Sequence, residues 1–224
     1  MKKVILLLSL AVITSALFTG CSKDDDTEAP VVTVLGDNPY KLAVESTFDA
    51  SNDPGATASD NEDGSVTSSI NTDYSELDLS NAGEYEVHYE VRDQAGNFAD
   101  NHRVMYVTHL GTQINSSWTV VEKLGTVVQG SAEFNTNTVT NIYGFSVTGL
   151  SDGSQDSPGV ITMEADRLTM AEQDLFAGTS SFKISGTGTI KKNTSNKLEI
   201  NLTYTVRDNT TNTTEDYTAV ATKQ

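Results

Sequence analysis

The chain has 224 residues, with 31 Asp and Glu against 14 Lys and Arg, a formal net charge of −17, and a single cysteine. So acidic a surface repels polyanions, and nucleic acid is not expected as a partner. One cysteine excludes an intramolecular disulfide, so the folded parts must rest on hydrophobic burial.

Lys2 and Lys3 precede an uncharged apolar run, Val4 to Leu17, followed by the small residues Thr19 and Gly20. A basic start, an apolar stretch and small residues are the three-part layout of a secretory signal, here residues 1–20. The fourteen residues of the run reach about 21 Å as a helix at ~1.5 Å per residue, short of the ~30 Å hydrocarbon core of a bilayer. The stretch "LFTGC", Leu17 to Cys21, resembles a bacterial lipobox. That resemblance implies a covalent lipid on the sulfur of Cys21, loss of residues 1–20 and acylation of the new amino terminus. Each buried CH2 contributes ~0.8 kcal/mol, so more than one acyl chain makes a stable membrane anchor. The next residues, "CSKDDD", resemble the Lys-Asp-Asp export tag of some Gram-negative lineages, which implies that Lys23, Asp24 and Asp25 direct the protein to the outer face of the outer membrane. The competing reading is a plain acidic spacer. Residues 21–29 read as the lipidated cysteine and a flexible acidic stalk, too poor in apolar side chains to offset ordering entropy.

Residues 30–109 form the first expected domain. Short alternating runs of Val, Ile, Thr and Tyr broken by Gly, Asn, Asp and Pro predict strands. They fall near Val31 to Leu35, Tyr40 to Glu45 and Val66 to Ile70, with a polar loop before the third. In "GEYEVHYEVRD", Tyr85, Val87, Tyr89 and Val91 share one face and Glu84, Glu86, His88, Glu90 and Arg92 the other, a half-buried antiparallel strand. A second long strand, Asn101 to Leu110, follows the turn "DQAGN" and pairs back on it. The series "APVVTVLGDNP", "DPGATASDNEDGSVTSS" and "AGEYEVHYEVRDQAGN" resembles the bacterial immunoglobulin-like domain first noted in pesticidal crystal proteins. It spans Ala29 to about Val107 and implies a β-sandwich of about seven strands that acts as a spacer or interaction module. The stretch "FDASNDPG" departs from the family pattern.

Residues 110–224 form the second. Acids thin out here, 12 against 8 Lys and Arg, compared with 19 against 4 over residues 22–109. Candidate strands are "SWTVVEK", "TVVQGSAEF", "TVTNIYGFSV", "GVITME", "SFKISGTGTI", "KLEINLTYTVRD" and "DYTAVATK". Evenly spaced strands without intervening helices suggest a meander closing as a sandwich or small barrel. "EADRLTMAEQDLFAG" is ambiguous, since Leu168, Ala171 and Leu175 also fit a helical period; strand plus loop is favoured. The series "WTV", "DRLTM", "GTGTI" and "LTYTVRD" is similar to small barrel-like domains that follow immunoglobulin-like modules in bacterial surface lipoproteins. The fold class expected is therefore all-β: an N-terminal immunoglobulin-like β-sandwich plus a C-terminal antiparallel β-sandwich or small, lipocalin-like β-barrel.

Few constellations carry chemistry. "GLSDG", Gly149 to Gly153, matches a nucleophile elbow, but that motif needs a strand-turn-helix with Asp and then His after the serine. All three histidines precede Ser151, so a turn is expected. "SGTGTIKK" lacks the order of a phosphate loop, and the histidines lack metal-ligand spacing; His88 is expected solvated on the charged face of its strand. "SDNEDG" with Asp60 and Asp63, Asp53 nearby, and the turn beginning at Asp93 offer the oxygen ligands Ca2+ prefers. The spacing is not that of a calcium loop, and a solvated polar loop is the competing reading; no other cofactor is expected. Trp118 and Tyr143 are the candidate ligand-binding aromatics. Trp118 also suits a core position, and Tyr143, beside Gly144, is the better exposed candidate.

The reading that follows is a non-enzymatic, surface-exposed lipoprotein of a Gram-negative outer membrane, with glycan capture suggested by analogy to the surface lipoproteins of polysaccharide uptake. The alternatives are a structural spacer or envelope-assembly partner that binds protein, which predicts an exposed apolar patch or open strand edge, and, third, an enzyme with an interdomain cleft.

Overall fold

The computed structural model describes residues 26–141, 143–148 and 159–224, with the backbone alone described over 129–141 and 147–148. The described chain is all-β apart from one helical turn and two 3-10 turns.

Residues 31–108 make a two-sheet sandwich. Strands β1 (Val31–Val34), β3 (Ala56–Asp60) and β4 (Gly64–Ser65) form one sheet. Strands β2 (Tyr40–Ala43), β7 (Phe98–Thr108), β6 (Gly83–Arg92) and β5 (Asn71–Asp73) form the other, in that order. The β6–β7 hairpin is its longest ladder, running from Gly83↔Val107 to Arg92↔Phe98. Period-2 alternation sends Val87, Tyr89 and Val91 of β6 and Met105 of β7 inward against Val32, Ala58 and Val66, as the sequence pattern predicts.

Two local expectations fail in this module. The segment Val66–Ile70 is a 3-10 turn at Thr67–Ser69 rather than a strand. Thr67 Oγ1 accepts from Ala58 N–H at 2.9 Å in place of a backbone carbonyl, and donates at 3.1 Å to the Ala58 carbonyl, which also accepts from Val66 N–H at 3.0 Å. Such local hydroxyl bonding competes with strand pairing. Conversely "ATASD", read as polar loop, is β3. Its small side chains hide the alternation, yet Ala58 is buried and the strand pairs with β1 from Val31↔Ser59 to Val34↔Ala56.

Residues 117–223 form a closed eight-stranded barrel. Its strands are β8 (Ser117–Leu124), β9 (Val127–Asn141), β10 (Gly144–Thr148), β11 (Gly159–Glu164), β12 (Arg167–Ala177), β13 (Ser180–Lys192), β14 (Leu198–Asp208) and β15 (Thr214–Lys223). Each pairs antiparallel with the next, and β15 returns to β8 from Tyr217↔Leu124 to Lys223↔Trp118. Closure of this kind removes open sheet edges. The stretch "TVTNIYGFSV" is two strands, not one: β10 folds back on β9, with Gly144 opposite Asn141.

The helical look of Leu168, Ala171 and Leu175 has a cause. A bulge between Met170 and Gln173 inserts one extra residue against β13, where these two face Gly186 and Ile184. The inward parity therefore switches, so Leu168, Met170 and Leu175 are all buried while Ala171 is exposed. Inside, Trp118, Phe145, Ile161, Met163, Ile190 and Ile200 belong to one apolar cluster. On β13 a Cβ at Gly188 would lie 2.1 Å from the Asn201 carbonyl oxygen and 2.8 Å from Leu202 Cδ2, so only glycine permits this approach of β13 to β14. A polar pair also faces inward: the Tyr204 hydroxyl donates to Glu122, which is buried.

Candidate functional site

The linker between sandwich and barrel is nearly all structure. Helix α1 (Gly111–Ile114) follows β7 almost directly. Ile114 is fully buried in the barrel core, and the Trp118 indole N–H donates to its carbonyl at 3.3 Å. Gln113 Nε2 donates to the Val44 carbonyl at 3.0 Å, and Lys223 Nζ to the Gln113 carbonyl at 2.8 Å. One helical turn thus hooks onto both modules.

The seam beside it follows the uneven charge of the chain. Cations of the barrel meet acids of the sandwich: Arg167 Nη1 lies 2.8 Å from Glu84 Oε2, with its guanidinium 5.2 Å from the Tyr106 ring, and Lys192 Nζ lies 3.6 Å from Glu45. One pair runs the other way, Lys41 to Glu164 at 2.8 Å. The turn between β11 and β12 places Ala165 at φ +53°, where its buried N–H donates to Thr108 Oγ1 at 2.8 Å.

A cleft of about 390 Å3 opens along this seam. The Ser80 to Tyr85 segment lines it from the sandwich, His109 from the junction, and Asp166, Lys191 and Lys192 from the barrel. Clefts of this size at domain junctions are common small-ligand sites. Burial pushes His109 down to about 4, helped by the charges of Lys192 and Lys223, so the imidazole is neutral at pH 7. The Tyr85 phenol donates to the Asn81 carbonyl at 3.0 Å, and burial raises its pKa. Lys191 pairs with Asp166 at 2.8 Å, Lys192 Nζ donates to the Ser80 carbonyl at 3.1 Å, and the Ser80 hydroxyl donates to Asp78 at 2.6 Å. These groups offer hydrogen bonds and one half-buried ring to a polar ligand. The serine hydroxyl donates to a carboxylate whose pKa is held below the usual value by its hydrogen bonds from Ser80 and Asn81, a weak base for activating a nucleophile.

The sequence-predicted residues disperse. Cys21, Lys23, Asp24, Asp25 and Ser151 lie outside the described residues. Trp118 is withdrawn: its ring is fully buried in the barrel core, so no ligand can stack on it. Tyr143 sits at the β9–β10 turn, half-buried, with Lys41 Nζ 5.8 Å from its ring centroid. Asp53 also leaves the calcium set. Its carboxylate takes hydrogen bonds from Tyr89 at 2.6 Å and Tyr74 at 2.9 Å and lies 3.1 Å from Arg103 Nε, both ionic side chains being buried. Burial alone would raise Asp53, but these hydroxyls, the Gly55 N–H and the Arg103 charge together hold it below the ordinary carboxylate value. Asp60 and Asp93 do come together, with Asp26 as the third member, while Asp63 Oδ2 accepts from Gln94 N–H at 2.7 Å beside them. His88 lies on the solvent face, as expected, 3.1 Å from Asp100 and opposite His102. A cleft between the domains was expected only under the enzymatic alternative, and none of the residues that line it was named as a site residue. Its one signal is His109, standing where an alternating strand ends and a turn begins.

Residues 32–107 match the family model of the bacterial surface protein Ig-like domain. This match covers less than half of the chain and coincides with the sandwich. No curated protein matches the chain. Among solved structures, a lipoprotein of Bacteroides thetaiotaomicron is similar at 17% identity and TM-score 0.32, covering 87% of this chain and 100% of that one. A second, the structure of the carbohydrate-binding module CBM51-2 in complex with GlcNAc and INT domains from Clostridium perfringens ZmpB, is similar at 17% identity and TM-score 0.29, covering 86% of this chain and 43% of that one.

Proposed function

We propose that this protein is a lipid-anchored, non-catalytic binding protein of the bacterial cell surface, and that the seam cleft holds a polar segment of a glycan. The observation that carries the surface role is the match of residues 32–107 to a bacterial surface Ig-like domain, to which the "LFTGC" stretch adds an anchor at Cys21. The glycan reading rests on the cleft: a ring from Tyr85 for the apolar face of a sugar, with Asn81, Glu84, Asp166 and Lys192 around it for hydroxyls. Affinity electrophoresis of the full chain in detergent through polysaccharide gels tests it. Retention on at least one polysaccharide is expected, weakened on the order of tenfold by Tyr85→Ala, as for an aromatic anchor at a binding site. No retention on any polysaccharide removes the glycan reading; retention indifferent to Tyr85→Ala and Lys192→Ala removes the cleft. For the anchor, Cys21→Ser should move the protein from membrane to soluble fraction. Alanine at Lys23, Asp24 and Asp25 together should leave it lipidated but protected from protease added to intact cells.

A protein partner is the second reading, favoured by the outer barrel wall. Val121 and Val220 face each other in register and are 43% and 40% exposed, with Val127 and Val128 more exposed at the adjoining hairpin end.

A further inference from the structure

We infer that His88, His102 and Glu86 form a zinc site on the solvent face of the Ig-like sandwich, clamping β6 to β7. The antiparallel register sets His88 directly opposite His102, and strand alternation turns both imidazoles outward, 31% and 44% exposed. Directly opposed residues hold their Cβ atoms about 4.5–5.5 Å apart. The hairpin makes this pair, and spacing along either strand does not show it.

Glu86 stands on the same face of β6, two positions before His88, and its carboxylate reaches both rings. Its Oε2 lies 3.5 Å from His88 Nε2 and its Oε1 3.6 Å from His102 Nε2. Zinc binds imidazole nitrogen and carboxylate oxygen at about 2.0–2.2 Å, so two ligands of a tetrahedral ion lie roughly 3.3–3.5 Å apart. The ring centroids are 5.9 Å apart, against about 5 Å for two imidazoles on one such ion. Both rings lie on an open face, and a small rotation of either closes the difference.

The observation that points to a cation lies behind His88. Its Nδ1 is 3.1 Å from Asp100 Oδ2 and 3.3 Å from Oδ1. A carboxylate accepts only, so Nδ1 carries the proton and a neutral ring presents a lone pair at Nε2. That lone pair faces Glu86, a second acceptor, and the two repel unless a proton or a metal ion stands between them. A carboxylate on the far nitrogen is also the usual support of a zinc-bound histidine, where it fixes tautomer and ring orientation.

The surroundings draw positive charge. Asp73 of β5 stands opposite His88, and the Asp100 hydrogen bond, followed by the charges of Asp100, Glu86 and Glu76, raises the His88 pKa. Among the described residues, the ion-pair partners of Glu86 and Asp100 are these imidazoles alone. Imidazole nitrogen selects zinc over Mg2+ and Ca2+, which favour oxygen sets. Three protein ligands leave a fourth position for water or for a group offered by whatever approaches this face. The site stands whether or not the seam cleft binds a glycan.

The test is calorimetric titration of ZnCl2 into the full chain in detergent, without a polyhistidine tag and stripped of metal, with the imidazole nitrogens followed by NMR. Expected are a saturable heat of one ion per chain and shifts at the ring nitrogens of His88 and His102, while His109 stays in place and CaCl2 moves none of them. His88→Gln and His102→Gln keep polarity at exposed positions and should each weaken binding at least about tenfold; Asp100→Asn, a positioning change, should weaken it on the order of tenfold. The nitrogen shifts of the parent chain decide the matter even where a variant melts early. No binding tighter than about 1 mM would leave a proton as the only bridge between His88 and Glu86 and overturn the site. Binding undiminished in both glutamine variants, or shifts absent from His88 and His102, overturns it equally, since the zinc is then held elsewhere.

Discussion

Trp118 in the barrel and Arg103 in the sandwich are the two largest side chains wholly withdrawn from solvent among the described residues. Trp118 lies in an apolar cluster, and its one polar atom has the Ile114 carbonyl. Arg103 needs far more. Nε donates toward Tyr89 and Asp53, Nη1 donates to the Asp37 carbonyl, and Nη2 to the carbonyls of Leu35 and Gly55. The short first sheet of the sandwich leaves loops near residues 35–37 and 53–55 with few apolar contacts, and the guanidinium ties them to β6 and β7. The barrel closes on its own hydrogen-bond ladder and needs no such tie. The sandwich core thus holds its loops through one buried ion pair with fixed partners, whereas the barrel core is largely apolar, with Glu122 and Tyr204 as a buried polar pair.

Two near-isosteric substitutions break the comparison open. Arg103→Met removes the cation and leaves Asp53 buried without it, a loss expected to cost about 3–5 kcal/mol. Met163→Leu in the barrel conserves volume and should cost less than about 1.5 kcal/mol. Hydrogen exchange resolved along the chain is the measurement. The first variant should lose protection over residues 31–108 while the barrel strands keep theirs, and equal losses in the two variants would show that the modules do not differ in this way.

What could be read beforehand divides along the same line. In the barrel, β11 was legible because Gly159–Glu164 alternates cleanly between buried and exposed, and β14 because Ile200 to Tyr204 does, while β12 read ambiguously because its bulge switches the inward parity. The sandwich was legible in β6 and β7 for the same reason, but not in β3, whose alanines carry no apolar signal. Asp53 was misassigned because its partner stands 50 positions away. A signal existed: Arg103 shares the inward parity of Met105 and Val107 on β7, and an inward arginine demands an acid. Asp26 was invisible as a neighbour of Asp60 and Asp93 because a polar stalk shows nothing of the chain on which it folds back.

His109 stands where the two modules meet and titrates in its own window. Its folded pKa, about 4, lies below the ordinary imidazole value of 6.5. The unfolded chain therefore takes up the proton first, so stability is complete above about pH 6.5 and falls as pH drops toward 4. The full loss is about 3 kcal/mol, at 1.36 kcal/mol per pKa unit. Asp53, whose folded pKa is depressed, acts in a lower window, losing its contribution only below the ordinary carboxylate value. Denaturant midpoints measured from pH 7.5 to 4.5 should fall for the parent chain and stay flatter for His109→Gln. An identical slope in both would mean that the buried imidazole is not linked to folding.

The seam ion pairs mark the lower end of the scale. Arg167 and Glu84 are both about half exposed, at 48% and 45%. Solvent and salt screen a pair of this kind, and its contribution to stability is expected at roughly 0.2–1 kcal/mol. Arg167 also covers the Tyr106 ring, so Arg167→Ala loses packing as well as charge. Arg167→Met retains part of that cover and isolates the charge. If the acidic sandwich is drawn to the barrel through its cations, Arg167→Met should lower stability measurably at low ionic strength and hardly at all in molar salt, with Lys192→Met adding to it. A deficit that persists unchanged in high salt would place the contribution in contact of the side-chain stem with Tyr106, and the charge asymmetry of the two modules would then have no part in holding them together.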